Sequence, residues 1–159
     1  MKIWLLRHAS AEVRAPSGRD QDRRLTAAGR ATCHELQAWI RDSGHPVPAR
    51  VLVSPAQRTL ETARTVLGHL DVPAPVIDDR LWNATVGDLV ALLDQADEPA
   101  DAIMLIAHNP GLEDLAGWLG GRLPVVGMKA GSLCILDTPR PLTPGQASTV
   151  ACFQPSESR

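Results

Sequence analysis

Strand-like and helix-like segments alternate along this chain, which predicts an α/β fold with a mainly parallel sheet. Two further observations fit that class. The 159 residues match one ordinary domain with one sizeable core. Three apolar segments also end alike, in abrupt polar residues that lead into a loop or a helix start: Leu6-Arg7-His8, Val53-Ser54-Pro55 and Ala107-His108-Asn109.

Lys2–Leu6 reads as the first, buried strand. Thr26 is placed to N-cap a helix reaching about Arg41, with Ala28, Thr32 or Cys33, Leu36, Trp39 and Ile40 as its buried stripe. Ser43-Gly44-His45-Pro46 ends that helix. Arg50–Val53 reads as a second strand. Ser54-Pro55-Ala56-Gln57 then resembles a helix start, with Ser54 as N-cap, Pro55 at the first helical position and Gln57 completing a capping box. The stripe Ala56, Leu60, Ala63, Leu67, Leu70 follows at helical spacing. Val76-Ile77 reads as a short strand, and Thr85 to Asp88 as a capping-box pattern opening a helix through Leu93. Asp101–Ala107 is a strongly apolar strand. Asn109 as N-cap and Pro110 start a helix to about Leu119, closed by Gly120-Gly121. Ser132–Leu136 and Thr149–Phe153 read as two final strands around a Pro/Gly-rich turn. The expectation is one domain over residues 1–153 and a loose tail over 154–159, without internal repeats.

Composition narrows the function classes. With 44% hydrophobic and 21% charged residues the chain has the make-up of a soluble globular protein. A formal net charge of -2 gives no electrostatic reason to expect nucleic acid as a partner. The apolar run Ile3–Leu6 is too short for a signal peptide and is cut by Arg7. No stretch approaches the roughly 20 apolar residues that a membrane span needs. Cys33, Cys134 and Cys152 are an odd set without close spacing, read here as reduced core thiols rather than disulfides or a zinc site. Together these features predict a cytoplasmic protein that engages neither membrane nor nucleic acid.

The candidate chemistry falls at the three abrupt strand ends. In a parallel sheet the carboxyl ends of strands share one edge, and ligands bind in the crevice outside it. Arg7, His8, Arg58 and His108 can therefore converge despite their separation in sequence. A guanidinium matches phosphate oxygens as a two-pronged fork. Imidazole suits a nucleophile or proton carrier near neutral pH. Arg58 lies in the first turn of its helix, off the apolar stripe, where a cation is unfavourable by about 0.3–1 kcal/mol unless an anion joins it. The plain alternatives are an exposed or ion-paired arginine and structural histidines at strand ends. Two histidines at equivalent strand ends, one beside an arginine, weigh against them. No carboxylate or cysteine sits at metal-ligand spacing around either histidine. His34, His45 and His69 read as incidental, and glycine-rich phosphate loops and the GxSxG elbow are missing.

These residues carry a resemblance to a known family. Leu6-Arg7-His8-Ala9 resembles the Arg-His-Gly signature of the histidine phosphatase superfamily, the phosphoglycerate mutase-like fold. Asp20 to Gly29 resembles its Asp-x-x-Arg-x-Leu-Thr-x-x-Gly stretch, and Ser54 to Ala63 its Ser-Pro-x-x-Arg-x-x-x-Thr-Ala helix start. His108-Asn109-Pro110 resembles the second histidine motif of the small members. Within the superfamily the chain is similar to the short SixA-type phosphohistidine phosphatases over nearly its whole length. The resemblance implies a three-layer α/β/α fold with a central, mostly parallel sheet, and no metal or organic cofactor. It implies His8 as the nucleophile, with Arg7, Arg58 and His108 holding the phosphoryl oxygens.

Two departures stand out. The signature glycine is Ala9. The dedicated acid of the larger members has no clear match: Leu81-Trp82-Asn83 lacks the expected Glu, Asp88 reads as a capping residue, and Glu113 is the best remaining candidate. Without that acid the site favours a leaving group that departs as a neutral ring, such as imidazole with its reference pKa of about 6.5. The short chain also leaves little sequence for a lid, which suits a phosphorylated side chain on another protein. The sequence thus predicts a phosphohistidine phosphatase acting on a protein partner. The alternatives are a phosphatase of a small phosphometabolite and a non-catalytic phosphate-binding module.

Overall fold

The structure is a computed structural model that describes residues 1–95, 101–124 and 127–156. Its strands are β1 (Lys2–Arg7), β2 (Arg50–Val53), β3 (Val76–Ile77), β4 (Ala102–Ala107), β5 (Leu133–Asp137) and β6 (Ser148–Phe153). Its α-helices are α1 (Ala27–Ser43), α2 (Gln57–Leu67), α3 (Val86–Asp94) and α4 (Gly111–Leu119). The strands form one sheet in the order β3-β2-β4-β1-β5-β6. The first four run parallel to one another, and β5 and β6 complete the sheet as antiparallel strands. This is the expected α/β/α arrangement.

Alternation along the strands divides the core in two. Ile3, Leu5, Leu52, Ile103 and Leu105 face one side, where Leu89, Leu93, Leu112 and Leu115 of α3 and α4 cover them. Trp4, Leu6, Val51, Val53, Met104 and Ile106 face the other, under Cys33, Leu36, Ala63 and Val66 of α1 and α2. Strands covered on both faces need apolar residues at every position, which is why β4 is buried from end to end. The chain leaves β1 for α1 on one face and leaves the neighbouring β4 for α4 on the other. That divergence opens a crevice between the two strand ends.

Most helix boundaries follow their sequence signals. Thr26 caps α1 through the Gly29 N–H, and Thr85 and Asp88 form a reciprocal capping box on α3. Two expected N-caps are corrected. Ala56, not Ser54, is the N-cap of α2, because the Ser54 hydroxyl is turned to His108 instead. Pro110, not Asn109, is the N-cap of α4, because the Asn109 amide is spent on Glu113 and Met128. The buried face of α2 is also rotated from the expected stripe. Thr59, Thr62 and Val66 are buried, whereas Leu60 and Leu70 are half-exposed. The two threonines tolerate burial because their hydroxyls donate to the carbonyls of Ser54, Ala56 and Arg58.

The reading of the cysteines is corrected as well. Cys134 and Cys152 form a disulfide, and Cys33 alone is a free, buried thiol. Their 18-residue separation gave no hint of this. The antiparallel register of β5 and β6 sets the two residues directly opposite each other, with Cα atoms 4.2 Å apart. The disulfide removes the cysteine argument for a reducing compartment. Gln154, expected in the tail, is held by hydrogen bonds to Ser132 and the Gly127 carbonyl, while residues 157–159 of that tail lie outside the described residues. No helix among the described residues is long and apolar enough to cross a membrane.

Gly29 shows how tightly α1 meets the segment after β1. A Cβ there would lie 2.1 Å from the Ser10 carbonyl oxygen, whereas a Cβ at Gly117 of α4 would meet nothing within 4 Å. Gly29→Ala is therefore expected to lose about 1–3 kcal/mol. Gly117→Ala is expected to gain up to about 1 kcal/mol from the better helix former. Urea denaturation of the two variants checks the contrast, and equal effects would contradict it.

Candidate active site

Register delivers the two key histidines. Arg7 of β1 pairs with Ala107 of β4, so His8 and His108 each stand one residue past a paired position on adjacent parallel strands. The His8 N–H donates to the Ala107 carbonyl at 3.2 Å, extending the ladder by one bond. The ring centroids of His8 and His108 are 5.2 Å apart. Arg58 arrives from the first turn of α2 and lies only 6% exposed, with its Nε donating to His8 Nε2 at 3.3 Å. Arg7 projects from the end of β1 and donates from Nη1 to the Met128 carbonyl at 2.7 Å. The structure therefore brings together all four residues singled out in the sequence.

The hydrogen bonds define the tautomer of His8. His8 Nδ1 lies 2.8 Å from its neighbour's carbonyl, Ala9 O. A carbonyl only accepts, so Nδ1 carries the proton and Nε2 keeps its lone pair. Burial, then the positive charges of Arg58 and Arg7, push the His8 pKa down to about 4, against the bond to Ala9. His8 is thus a neutral imidazole at neutral pH, with its Nε2 lone pair accepting from Arg58. His108 Nε2 lies 2.7 Å from the buried Ser54 hydroxyl, while its Nδ1 is buried without a partner among the described residues. Burial, His8 and Arg58 bring its pKa to about 3.

The guanidinium groups supply the charge. Burial lowers the pKa of both Arg7 and Arg58, offset by Glu113 for the first and by Asp20 for the second. A guanidinium nonetheless stays charged at neutral pH. Arg58 has its other two donors on Asp20: Nη1 to the backbone carbonyl at 2.9 Å and Nη2 to the carboxylate at 3.0 Å. The Asp20 carboxylate also accepts from Arg23, and its pKa is lowered chiefly by that bond. The indole of Trp82 lies against both Arg58 and His108. The guanidinium carbon is 5.4 Å from the indole centre, and the His108 ring meets it edge-on at 5.3 Å. Beside His108 a cleft of about 450 Å³ is lined by Asn83, Thr85, Asn109 and Asp114.

Three supporting residues escaped the sequence reading. Ser54 was assigned to a cap. Thr62, quoted only as part of a motif, uses one hydroxyl to accept from the Ala9 N–H and donate to the Arg58 carbonyl, which ties the His8 turn to α2. Asp20, also inside a quoted motif, is the acid that pairs Arg58. Arg58 is therefore ion-paired, as its plain alternative has it, and also stands beside His8. Among the described residues no group of three or more His, Cys, Asp or Glu could hold a metal ion.

Comparison with known proteins decides the family. Residues 3–114 match the model of the histidine phosphatase superfamily, branch 1. The chain belongs to the histidine phosphatase superfamily. Among solved structures it is similar to a protein from Agrobacterium tumefaciens provisionally assigned as the phosphohistidine phosphatase SixA. That match has 27% identity and a TM-score of 0.84, and it covers 98% of each chain. It also shares its fold with the protein histidine phosphatase SixA complexed with tungstate, at 23% identity and a TM-score of 0.83, over 98% of this chain and 97% of the other. A curated relative is an uncharacterised chloroplast protein of Arabidopsis thaliana. The two are 28% identical over 130 residues, which span 76% of this chain and 59% of that protein. The family and the SixA-like fold indicate a phosphatase.

The depressed histidines make acid stability a direct readout of the site. The folded pKa values of about 4 and about 3 lie below the reference value of 6.5. Across that range the unfolded chain binds more protons, so stability falls with falling pH. The contribution is intact above about pH 6.5 and is lost progressively toward the folded values. Urea titrations at neutral pH and near pH 4.5 should show a smaller acid loss for the His8→Asn/His108→Asn double variant than for the parent. Equal losses would show that the rings do not titrate this way.

Proposed function

We propose that this phosphatase dephosphorylates phosphohistidine on a protein partner, through a phosphoryl intermediate on His8 Nε2. The observation that carries the reading is the bond between His8 Nδ1 and Ala9 O, which leaves Nε2 as the nucleophilic lone pair beside Arg58. In the first step Nε2 bonds to phosphorus as the P–N bond of the substrate breaks. Arg7, Arg58 and His108 take the phosphoryl oxygens and the charge they carry in flight. Arg58 passes its Nε donor from His8 to an oxygen of the entering group. In the second step water attacks phosphorus, His8 leaves as the neutral imidazole, and inorganic phosphate is released.

The lack of a clear sequence match to the acid of the larger members supports the choice of leaving group. A substrate phosphoimidazole protonated on its other ring nitrogen departs as neutral imidazole, while His8, protonated on Nδ1, becomes the equivalent phosphoimidazolium. The transfer exchanges like for like, so it needs no strong acid on the enzyme. An alkoxide leaving group would need one. The second reading, a small phosphometabolite as substrate, is favoured by the cleft beside His108, which has room for a compact polar group against Asn83 and Asp114.

A steady-state panel tests the substrate, comparing a phosphohistidine protein with small phosphate esters. The phosphohistidine protein should have the higher kcat/KM, and faster turnover of sugar phosphates would favour the second reading. His8→Ala should form no acid-labile phosphoenzyme; continued labelling would refute His8 as the nucleophile. Arg58→Ala should cost about 1.5–3 kcal/mol in kcat/KM for the loss of a charge-assisted contact. No change would make Arg58 a structural ion pair only.

A further inference from the structure

Arg7 leaves the end of β1 as a long side chain, and its placement rests on a neighbouring turn. Its Nη1 donates to the Met128 carbonyl, and its Nε is buried without a partner among the described residues. That turn has its own anchor. The Met128 N–H donates to Glu113 Oε1 at 2.6 Å, and the Asn109 amide donates both to Glu113 Oε1 at 2.8 Å and to the Met128 carbonyl at 3.1 Å. One carboxylate oxygen therefore gathers the turn and the residue after His108. We infer that Glu113 is a positioning residue for the reaction: it clamps the turn whose Met128 carbonyl aims the Arg7 guanidinium at the phosphoryl group. The inference rests on the reading of Arg7 as a phosphoryl ligand.

Two independent features point the same way. Gly127 adopts φ +70, and a Cβ there would lie 2.5 Å from Glu113 Oε1, so the backbone approaches the carboxylate as closely as glycine allows. The Gly127 carbonyl is fastened in turn by Gln154 at 2.9 Å. The Glu113 charge also acts on Arg7 directly, holding the guanidinium in its charged form against the effect of burial. A favourable interaction with the N-terminus of α4 accounts for an acid in this turn of the helix, but not for the bond to Met128. Its Oε1 already accepts the N–H groups of Met128 and Asn109, so that oxygen is engaged in holding the turn.

The test compares Glu113→Gln, Glu113→Ala and Gly127→Ala in the full chain, with inorganic phosphate as the probe. Glutamine keeps the Oε1 acceptor, so phosphate affinity and KM should stay within about threefold of the parent. Alanine removes the clamp and should weaken phosphate binding and raise KM by about tenfold or more. Gly127→Ala displaces the turn with the carboxylate intact and should reproduce that loss, which keeps the inference testable if Glu113→Ala does not fold. Parent-like phosphate affinity in Glu113→Ala or Gly127→Ala would overturn it. So would a Glu113→Gln defect equal to that of alanine with the alkaline limb of the kcat–pH profile abolished, which would make Glu113 the general acid. If the expected order of phosphate affinities holds but no phosphohistidine substrate turns over, the proposed function falls and the positioning role stands.

Discussion

The parallel pairing of β1 with β4 is the constraint on which the rest of this structure depends. Its register fixes Arg7 opposite Ala107, and everything catalytic in the proposed mechanism is counted from that pair. A shift of one residue would turn Trp4 and Leu6 to the other face of the sheet and carry His8 away from His108. The two apolar layers enforce that register, because each strand buries a different set of side chains on each face. The chemistry is therefore held by the core, and the loops need only turn sharply at the strand ends.

A second principle is the separation of charge from nucleophilicity. The guanidinium groups carry the positive charge, and by their proximity they help keep the imidazoles neutral. A protonated His8 would have no lone pair on Nε2. The Ala9 carbonyl and the Ser54 hydroxyl complete the arrangement, each occupying one nitrogen of a histidine and so limiting what the other nitrogen can do. These partners are backbone or uncharged groups, and they orient the rings without adding charge to a site already rich in it.

The sequence was most legible where a local rule applies. Strand bounds, the Thr26 cap and the Thr85–Asp88 box all depend on residues within one turn or one strand, and the structure reproduces the caps and places the strands to within one residue at each end. The four pocket residues were legible because abrupt polar residues after a buried strand have few structural uses. What the sequence concealed depends on distant partners. Ser54 has the composition of a cap, but its nearest demand comes from His108, 54 positions away. Cys134 and Cys152 meet only through strand register, and Thr59 and Thr62 pass as surface residues until their hydroxyls find backbone carbonyls. Glu113 read as the best remaining acid candidate, and its tie to the Met128 turn stayed hidden because that turn is folded against it from elsewhere in the chain.

The ion pair between Arg58 and Asp20 has a consequence for the traffic of anions. The guanidinium does not stand bare: Asp20 already accepts from two of its nitrogens, once through its backbone carbonyl and once through its carboxylate. Asp20 is more than half exposed, so it can swing into water while Arg58 stays fixed by burial. In the proposed mechanism an arriving phosphoryl group trades places with a counter-ion, and its affinity is the difference between two salt bridges, not the strength of one. The same exchange runs in reverse on departure, when the returning carboxylate pairs Arg58 again.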